Sequence, residues 1–454
     1  MAGWSLWDLL NPYAARPGRR KTPPGISAPT AGPGRRTIEE DTMGARAFGP
    51  LQGMTVIELC HHMAGPTCGL MLADMGADVI KVEKSPGGDD TRRNVPPAIN
   101  GESASFMMMN RNKRGIVLDL KTPEGAAALR KLVAKADVLT ENFRPGVLER
   151  LGLGYDDLKK VNPGLIYASI SGFGLTGPYA KRGGFDLVAQ GMSGLMSITG
   201  ERPDGPPVKV GPPVCDITAG LLLALGICAA YSHRLKTGEG QRLDTSLMEA
   251  GITLTYWQST IAFATGVAPR AMGSAHPLSA PYQAVRCSDG YINIAANTAR
   301  FWEKMCTMIG APELFADPRF KTNGDRLANL KELEAELNAR FEKDTREAWL
   351  AKFEAEGIPA GPIFDILEMH QDPQTIAREM VPTVDHPVAG SVQTIGLPIK
   401  FQGTPGKVAM PSPLFGQHTA EVLAELGYTE TEIEALAAGN AVHLGDTASR
   451  EAAE

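Results

Sequence analysis

Residues 54–83 have the sequence MTVIELCHHMAGPTCGLMLADMGADVIKVE, and this stretch decides the fold. The segments 54–59 and 78–83 are short apolar runs rich in β-branched residues, which predicts two β-strands. The segment 66–75 between them predicts a helix. Two strands joined by a helix normally lie parallel, so the stretch predicts the first unit of a parallel sheet.

The same alternation continues along the first half of the chain. Further strands are predicted at 115–120, 137–142, 165–171 and 240–246, and helices at 122–136 and 248–265. These segments predict an α/β fold whose large domain contains a Rossmann-like, mostly parallel sheet. Ligands of such sheets bind at the carboxyl ends of the strands, so the loops 59–66 and 83–92 are candidate binding loops. Nearby basic and amide side chains are candidates for contacts with phosphate groups, namely Lys84, Arg92, Arg93 and Asn110–Arg114.

Composition and pattern divide the chain into parts. Residues 1–49, rich in Pro, Gly and Arg, are interpreted as a disordered extension or translation from an upstream start codon, in preference to a targeting peptide. Residues 50–250 form the predicted large domain, to which the chain returns at 395–445 with a strand at 395–401 and a helix at 420–426. Residues 270–390 are predicted to form a smaller α+β domain, with a hairpin at 281–295 and helices at 299–309, 331–343 and 345–356. Residues 446–454 are a predicted tail.

The composition narrows the functional classes. The 454 residues carry 45 basic and 51 acidic side chains, and the densest basic run is Arg19-Arg20-Lys21, which argues against nucleic acid as a partner. Six cysteines without Cys-x-x-Cys pairing are typical of reduced thiols in a cytoplasmic protein. No histidine spacing matches a metal site, so no metal is expected. No uninterrupted apolar run reaches the ~18 residues of a membrane span, so no membrane is expected either.

The segment Gly172-Phe-Gly174-Leu-Thr-Gly177 has the G-x-G-x-x-G spacing of dinucleotide-binding loops. In such a site a helix begins at the motif, whereas here Pro178 and the basic segment Lys181–Gly184 follow. The turn of the first strand–helix–strand unit, residues 61–64, also lacks the glycine pattern. A nicotinamide-dependent oxidoreductase is therefore disfavoured, and the motif predicts a loop.

Asp216 stands between a Pro-rich turn, residues 211–215, and the long apolar segment 217–230. A carboxylate at the beginning of a helix is typical of an N-cap. The same position favours the ionised form, because a helix N-terminus carries partial positive charge. A buried, ionised carboxylate can also act as a nucleophile towards an activated acyl group. Position alone favours the cap.

A series of short motifs between residues 51 and 444 resembles the class III CoA-transferases, the family of formyl-CoA and carnitine CoA-transferases. The motifs include Ala64-Gly-Pro66, Gly76–Glu83, Glu141-Asn-Phe-Arg-Pro-Gly146, Gly184-Phe-Asp186, Gly211–Asp216, Lys236–Gln241, Ala280-Pro-Tyr-Gln283 and Gly357–Pro362. The resemblance implies that Asp216 attacks an acyl-CoA thioester, giving an aspartyl-acyl anhydride and then an aspartyl-CoA thioester. An acceptor acid then collects the CoA. CoA and acyl-CoA are thus substrates, and no tightly bound cofactor is implied.

The resemblance also assigns binding residues. His61, His62, Met63 and Ala64 would lie along the CoA near the reacting carbonyl. Lys84 and Arg150 would contact its adenosine end, and Leu118, Lys121, Asn142, Phe143 and Leu151 would line the rest. Phe185 and His276 would border the acyl group, although a turn histidine with a purely structural role is an equal alternative for His276. Met63 stands where formyl-CoA transferase has a glutamine, which argues against oxalate and formate as substrates.

The nearest alternative within the family is an α-methylacyl-CoA racemase. Its chemistry needs a histidine as a second base at the position of Phe185, and phenylalanine cannot transfer a proton. The transferase is therefore favoured, with succinyl-CoA and an organic acid as a first guess at donor and acceptor. The family further implies an interlocked, ring-like homodimer, with the active site between the large domain of one subunit and the small domain of the other.

Overall fold

The computed structural model describes residues 48–445. Its strands are β1 (Thr55–Leu59), β2 (Asp78–Glu83), β3 (Ala98–Ile99), β4 (Glu102–Ser103), β5 (Lys113–Leu118), β6 (Val138–Glu141), β7 (Ile166–Ser171), β8 (Arg242–Ser246), β9 (Tyr282–Cys287), β10 (Gly290–Ala295), β11 (Ala360–Pro362), β12 (Thr383–His386), β13 (Gly390–Gln393) and β14 (Val442–His443). Its helices are α1 (Ala64–Asp74), α2 (Ala104–Asn110), α3 (Pro123–Lys135), α4 (Val147–Arg150), α5 (Tyr155–Val161), α6 (Asp186–Met192), α7 (Leu195–Ile198), α8 (Val214–Thr237), α9 (Leu247–Thr253), α10 (Tyr256–Thr265), α11 (Ala299–Met308), α12 (Glu313–Ala316), α13 (Asn323–Ala328), α14 (Leu330–Phe341), α15 (Arg346–Glu356), α16 (Ile366–Gln371), α17 (Pro373–Ala377), α18 (Thr419–Glu425) and α19 (Glu430–Ala438). The predicted segment 1–49, except for its last two residues, and the predicted tail 446–454 lie outside the described residues.

Seven strands form one large sheet in the order β14-β5-β2-β1-β6-β7-β8. The strands from β5 to β8 in this order run parallel, and β14 pairs antiparallel with β5 at one edge. Successive residues of a strand face opposite sides, so Ile57 packs in a cluster with α3 and Val56 in a cluster with α1 and α8. Both faces of the strands from β5 to β7 in this order are covered and these strands are buried almost throughout, whereas the edge strand β8 is largely exposed. The predicted α/β class with a mainly parallel sheet is confirmed.

Helix α8 has 24 residues and packs on α1, α9 and the strands β7 and β8. The crossing with α1 requires glycine at Gly220, because a Cβ there would meet the carbonyl oxygen of Ala64 and lie 2.7 Å from the Cβ of Thr67. By length and composition alone α8 meets the criterion for a membrane span, with a mean hydropathy of 1.9 over an 18-residue window, and a core helix of a soluble protein meets the same criterion. The expectation that no segment reaches this length is therefore wrong, because it counted only uninterrupted apolar runs.

A second, smaller group of buried residues lies between Ala280 and Ile358. Strands β9, β10 and β11 form an antiparallel sheet, and its inner face packs on α11, α14 and α15 around Trp302 and Phe341. The predicted hairpin and the helices of this region are confirmed, with bounds that differ by one or two residues. The division into domains at 50–250 and 270–390 stays a prediction.

Two predicted elements are wrong. The segment 395–401 is irregular and not a strand, and the hairpin of β12 and β13 ends just before it. Pro398 lies in this segment and has no backbone N–H to donate to a sheet. The predicted helix 248–265 is divided into α9 and α10 at Thr255, whose hydroxyl donates to the carbonyl oxygen of Ile252 and shares a hydrogen bond with Ser259.

Candidate active site

The carboxyl ends of four neighbouring strands bring the predicted binding loops to one edge of the sheet. In the order β5, β2, β1, β6, these strands are followed by Lys121, Lys84, His61 and Asn142. Lys84 and Lys121 are exposed, and the ammonium group of Lys84 lies 2.8 Å from Asp90 Oδ1. The edge is the one at which open parallel sheets bind their ligands.

Asn142 holds His61, the second residue of the loop after β1. Its Oδ1 accepts the N–H of His61 at 2.9 Å, and its Nδ2 donates to the carbonyl oxygen of His61 at 2.8 Å. The imidazole of His61 meets the ring of Phe143 edge-on, with the ring centroids 5.7 Å apart. Burial and the nearby charge of Lys81 lower the pKa of His61 to about 4, so the ring is neutral at physiological pH. Three predicted site residues thus form one contact group.

The next residues turn the chain into helix α1. His62 adopts a left-handed conformation, with φ of 65°, and its N–H donates to Asp89 Oδ1 at 3.3 Å. Its Nε2 lies 3.5 Å from Asp90, which is also the partner of Lys84 at 2.8 Å. Met63 is the N-cap residue of α1, and no side chain caps that helix. The N–H groups of Ala64 and Gly65 therefore have no side-chain cap, and the third residue of the helix, Pro66, has no N–H.

Asp216 lies in the first turn of α8 and is not its N-cap, which corrects the predicted cap. Pro213 occupies the cap position, and the capping oxygen comes instead from Asp186 at the beginning of α6. Asp186 Oδ1 accepts the N–H groups of Cys215 at 2.9 Å and Asp216 at 3.4 Å, and its Oδ2 accepts from Gln190 at 2.7 Å. Because Asp186 supplies the capping oxygen, the carboxylate of Asp216 is not needed as a cap.

The electrostatic environment of Asp216 also differs from the prediction. Burial and the negative charge of Asp186 raise the pKa of Asp216 from 3.8 to about 7. The expectation that the helix N-terminus keeps this carboxylate ionised against burial is therefore wrong. A carboxyl group with this pKa is a stronger base than an ordinary aspartate, and about half of it is ionised at neutral pH.

The packing of α8 on α1 brings Asp216 towards the loop after β1. Asp216 and Gly220 are one helical turn apart, so they lie on the same face of α8. Gly220 lies against the carbonyl oxygen of Ala64. The half-buried carboxylate of Asp216 is thus on the face of α8 that meets the first turn of α1.

The remaining predicted residues are dispersed. Leu118 is buried in the core under α3, Leu151 packs against the same core, and Arg150 is exposed at the end of α4. Phe185 is 70% exposed and immediately precedes Asp186. His276 contacts Trp257 and Tyr282, and its Nδ1 accepts the N–H of Leu278 at 3.1 Å, so both its predicted roles stay predictions.

The basic run Asn110–Arg114, predicted to offer groups to a phosphate, is instead internal. Arg111 pairs with Asp74, Arg114 pairs with Asp78, and Lys113 pairs with Glu58. These side chains are buried or nearly so, because Lys113 and Arg114 belong to β5 and not to a loop. Arg92 is similarly engaged, by Glu83.

Sequence reasoning missed two features of the site. Asp186 was quoted only as part of a motif, because a capping oxygen that accepts from a residue thirty positions later leaves no local pattern. Also passed over were Glu58 and Lys81, which are charged residues in the middle of buried strands and register partners across β1 and β2. Charge inside an otherwise apolar parallel strand is the signal that could have found them.

The chain is similar to known proteins over most of its length. A family model described as CoA-transferase family III matches residues 51–419. A succinate–glutarate CoA-transferase of Agrobacterium fabrum is 43% identical, covering 83% of this chain and 96% of that protein. The succinyl-CoA:glutarate CoA-transferase of Homo sapiens is 38% identical, covering 86% and 89%. The crystal structure of a CAIB/BAIF family protein from Brucella suis has a TM-score of 0.75 at 43% identity, covering 84% of this chain and all of that one. The chain therefore belongs to CoA-transferase family III, as its sequence motifs predicted.

Proposed function

We propose that this enzyme transfers CoA from an acyl-CoA to a free carboxylic acid with Asp216 as the nucleophile. The observation that carries the proposal is the state of that carboxyl group. It is half-buried on the face of α8 that meets the first turn of α1, its pKa is raised to about 7, and Asp186 relieves it of the capping role.

The ionised carboxylate of Asp216 attacks the thioester carbonyl, and the C–S bond breaks to give an aspartyl-acyl anhydride and CoA thiolate. The thiolate attacks the aspartyl carbonyl, and the donor acid leaves as a carboxylate. This gives an aspartyl-CoA thioester. The acceptor carboxylate attacks that thioester, and its C–S bond breaks to give a second anhydride and CoA thiolate. The thiolate attacks the acceptor's carbonyl in this anhydride, which gives the new acyl-CoA and frees the carboxylate of Asp216. Burial makes the nucleophile more basic, and the uncapped N–H groups of α1 are available to stabilise the oxyanions.

CoA is proposed to lie along the carboxyl edge of β5, β2, β1 and β6. His61, Asn142 and Phe143 form a ready-made contact group there, and the neutral ring of His61 suits an apolar part of the ligand. Lys84 and Lys121 are exposed at the same edge, where they would meet phosphate groups. Lys84 forms an ion pair with Asp90 in the free protein. A phosphate group of the ligand would therefore compete with Asp90 for the ammonium group of Lys84.

The proposed substrates are succinyl-CoA as donor and a dicarboxylic acid as acceptor. Relatives about 40% identical are named for succinate, glutarate and mesaconate. One relative at 41% identity is named for acetyl-CoA and oxalate, so the identity of the acid is an experimental question. The six free cysteines support the proposal that the enzyme works in a reducing, cytoplasmic compartment.

A homodimer is proposed as the working unit. Helix α10 has no buried residue, and its Phe263 is 89% exposed, with Tyr256 and Trp257 also largely exposed. Apolar surface of this kind normally lies in an interface. By family resemblance the two subunits are interlocked. Sedimentation of the protein and of Phe263→Glu tests this, since a monomeric native protein would refute it.

The decisive experiment for the reaction is an exchange panel. The enzyme is incubated with succinyl-CoA and labelled acids, and hydroxylamine is added to trap acyl-aspartyl intermediates. We expect CoA exchange and a hydroxamate at Asp216, and the loss of both in Asp216→Ala. Exchange that persists in this variant without hydroxamate would refute the mechanism. Exchange of an α-proton with solvent, with no movement of CoA, would favour the racemase.

A further inference from the structure

Four fully buried charges lie directly beneath the loop between β1 and α1. Lys81 Nζ is 3.1 Å from Glu58 Oε1 and 2.9 Å from Asp89 Oδ2. Lys113 Nζ is 2.9 Å from Glu58 Oε2. All four side chains have no exposed surface, and we name them the buried network. Two positive and two negative charges make it neutral as a unit.

Three further bonds of the buried network go to the backbone of the loop and of the first turn of α1, and others go to Asn110 and Thr91. Lys81 donates to the carbonyl oxygen of Cys60 at 2.8 Å, where the loop begins. Lys113 donates to the carbonyl oxygen of Pro66 at 3.0 Å, inside the first turn of α1. Asp89 accepts the N–H of His62, whose positive φ would otherwise be unfavourable. The network therefore holds both ends and the middle of the loop.

Stability alone gives a weak reason for this arrangement. Buried ion pairs lose most of their attraction to desolvation, and apolar residues of similar volume are often as stable. The fold also makes room for the network, because a Cβ at Gly69 of α1 would overlap Glu58 Oε2. The charged side chains make directed hydrogen bonds to three backbone groups of the loop. Apolar side chains cannot make such bonds.

We propose that the buried network is a positioning device that fixes the backbone of residues 60–66 for reaction with acyl-CoA. Glu58, Lys81, Asp89 and Lys113 act through the loop and do not touch the substrate. The inference rests on the proposed function, in which this loop lies along the CoA and offers the N–H groups of α1. The inference also predicts that the buried network makes the loop rigid. This rigidity can be measured without any assay of activity.

The test uses a charge-balanced double variant, Glu58→Gln/Lys113→Met, in the full-length protein. It removes one charge of each sign, keeps an oxygen that can accept from Lys81, and removes the bond to the Pro66 carbonyl. The matched control is Asp74→Asn/Arg111→Met, which removes an equally buried ion pair at the opposite end of α1. Neither residue of the control pair bonds the loop.

Amide hydrogen exchange of residues 60–67 and steady-state kinetics are measured on both variants. In the network variant we expect loop exchange at least about tenfold faster and kcat about 100-fold lower, because a misplaced reacting group has this effect. In the control we expect wild-type values for both, whatever its thermal midpoint. Lys81→Arg is a third variant, which keeps the charge but changes the reach, and it should lose kcat with less loss of stability.

Wild-type loop exchange in the folded network variant would overturn the proposal, even if the variant were less stable. Equal losses of kcat in network variant and control would also overturn it, because they would indicate a general effect of destabilisation. If the native protein transferred no CoA at all, the proposed function would fail. The exchange result would still decide whether the network orders the loop, so the two failures are distinguishable.

Discussion

Replacing Asp216 with asparagine is expected to stabilise the protein while it abolishes transfer. Burial and Asp186 raise the pKa of Asp216 from 3.8 to about 7 in the folded state. The contribution of Asp216 to the free energy of unfolding is therefore fully present below pH 4. It is lost as the pH rises to about 7. At about 1.4 kcal/mol per pH unit the loss is at most about 4 kcal/mol, and partial exposure reduces it to about 2–4 kcal/mol. Asparagine does not titrate and escapes this loss.

The assay is urea unfolding at pH 4, 5.5 and 8 at a fixed protein concentration. Asp216→Asn should match the wild type at pH 4 and exceed it at pH 8, where a gain of about 3 kcal/mol corresponds to about 4 °C in Tm. Asp289→Asn is the matched control, because a backbone N–H and the charge of Arg346 lower the pKa of Asp289 and give the opposite sign. A stability difference that did not change between pH 4 and pH 8 would refute the reasoning.

Three further outcomes are expected. Since Asp216 attacks only when ionised, kcat/KM should rise with pH up to about 7. Asp186→Asn removes a like charge, so the rise of kcat/KM should occur at lower pH. An unchanged pH–rate profile would contradict the effect of Asp186 on the pKa of Asp216. Gly220→Ala should cost about 1–3 kcal/mol in urea unfolding and lower kcat, because its Cβ meets the backbone of α1. Gly226→Ala, whose Cβ meets only the end of a leucine side chain at 2.7 Å, is the milder control. Asn142→Ala should raise the KM for acyl-CoA and cost about 1–3 kcal/mol, because two backbone groups of the adjoining loop lose their partner, and an unchanged KM would contradict its role.

The strands could be predicted wherever apolar pattern alone determines them. The predicted bounds of β2 are the observed ones, because every residue from Asp78 to Glu83 is buried and the flanking turns are clear. Strand β5 was predicted two residues too late, since Lys113 and Arg114 have the charge of loop residues. Their partners, Glu58 and Asp78, come from other strands, and the sequence of one segment cannot show that a charge will be neutralised by another.

Some properties of the candidate site could likewise be predicted from the sequence, whereas others depend on tertiary structure. Asp216 could be singled out from its position before a long apolar helix and from the family motifs. Its raised pKa could not, because that depends on Asp186 and on burial by elements elsewhere in the chain. His276 could be placed in a turn, but its ring contacts with Trp257 and Tyr282 required the tertiary structure.

The edge strand β5 depends on the last part of the chain. Its partner β14 and its hydrogen-bond donors and acceptors from α18 lie about 300 residues later, as in the bond from Val117 N–H to Thr419. During synthesis the ribosome releases β5 long before these residues exist, so the strand emerges with an open edge that can pair with another chain. We therefore expect the large sheet to be completed only after translation. We also expect truncation before residue 419 to yield aggregates, even though every proposed catalytic residue is retained.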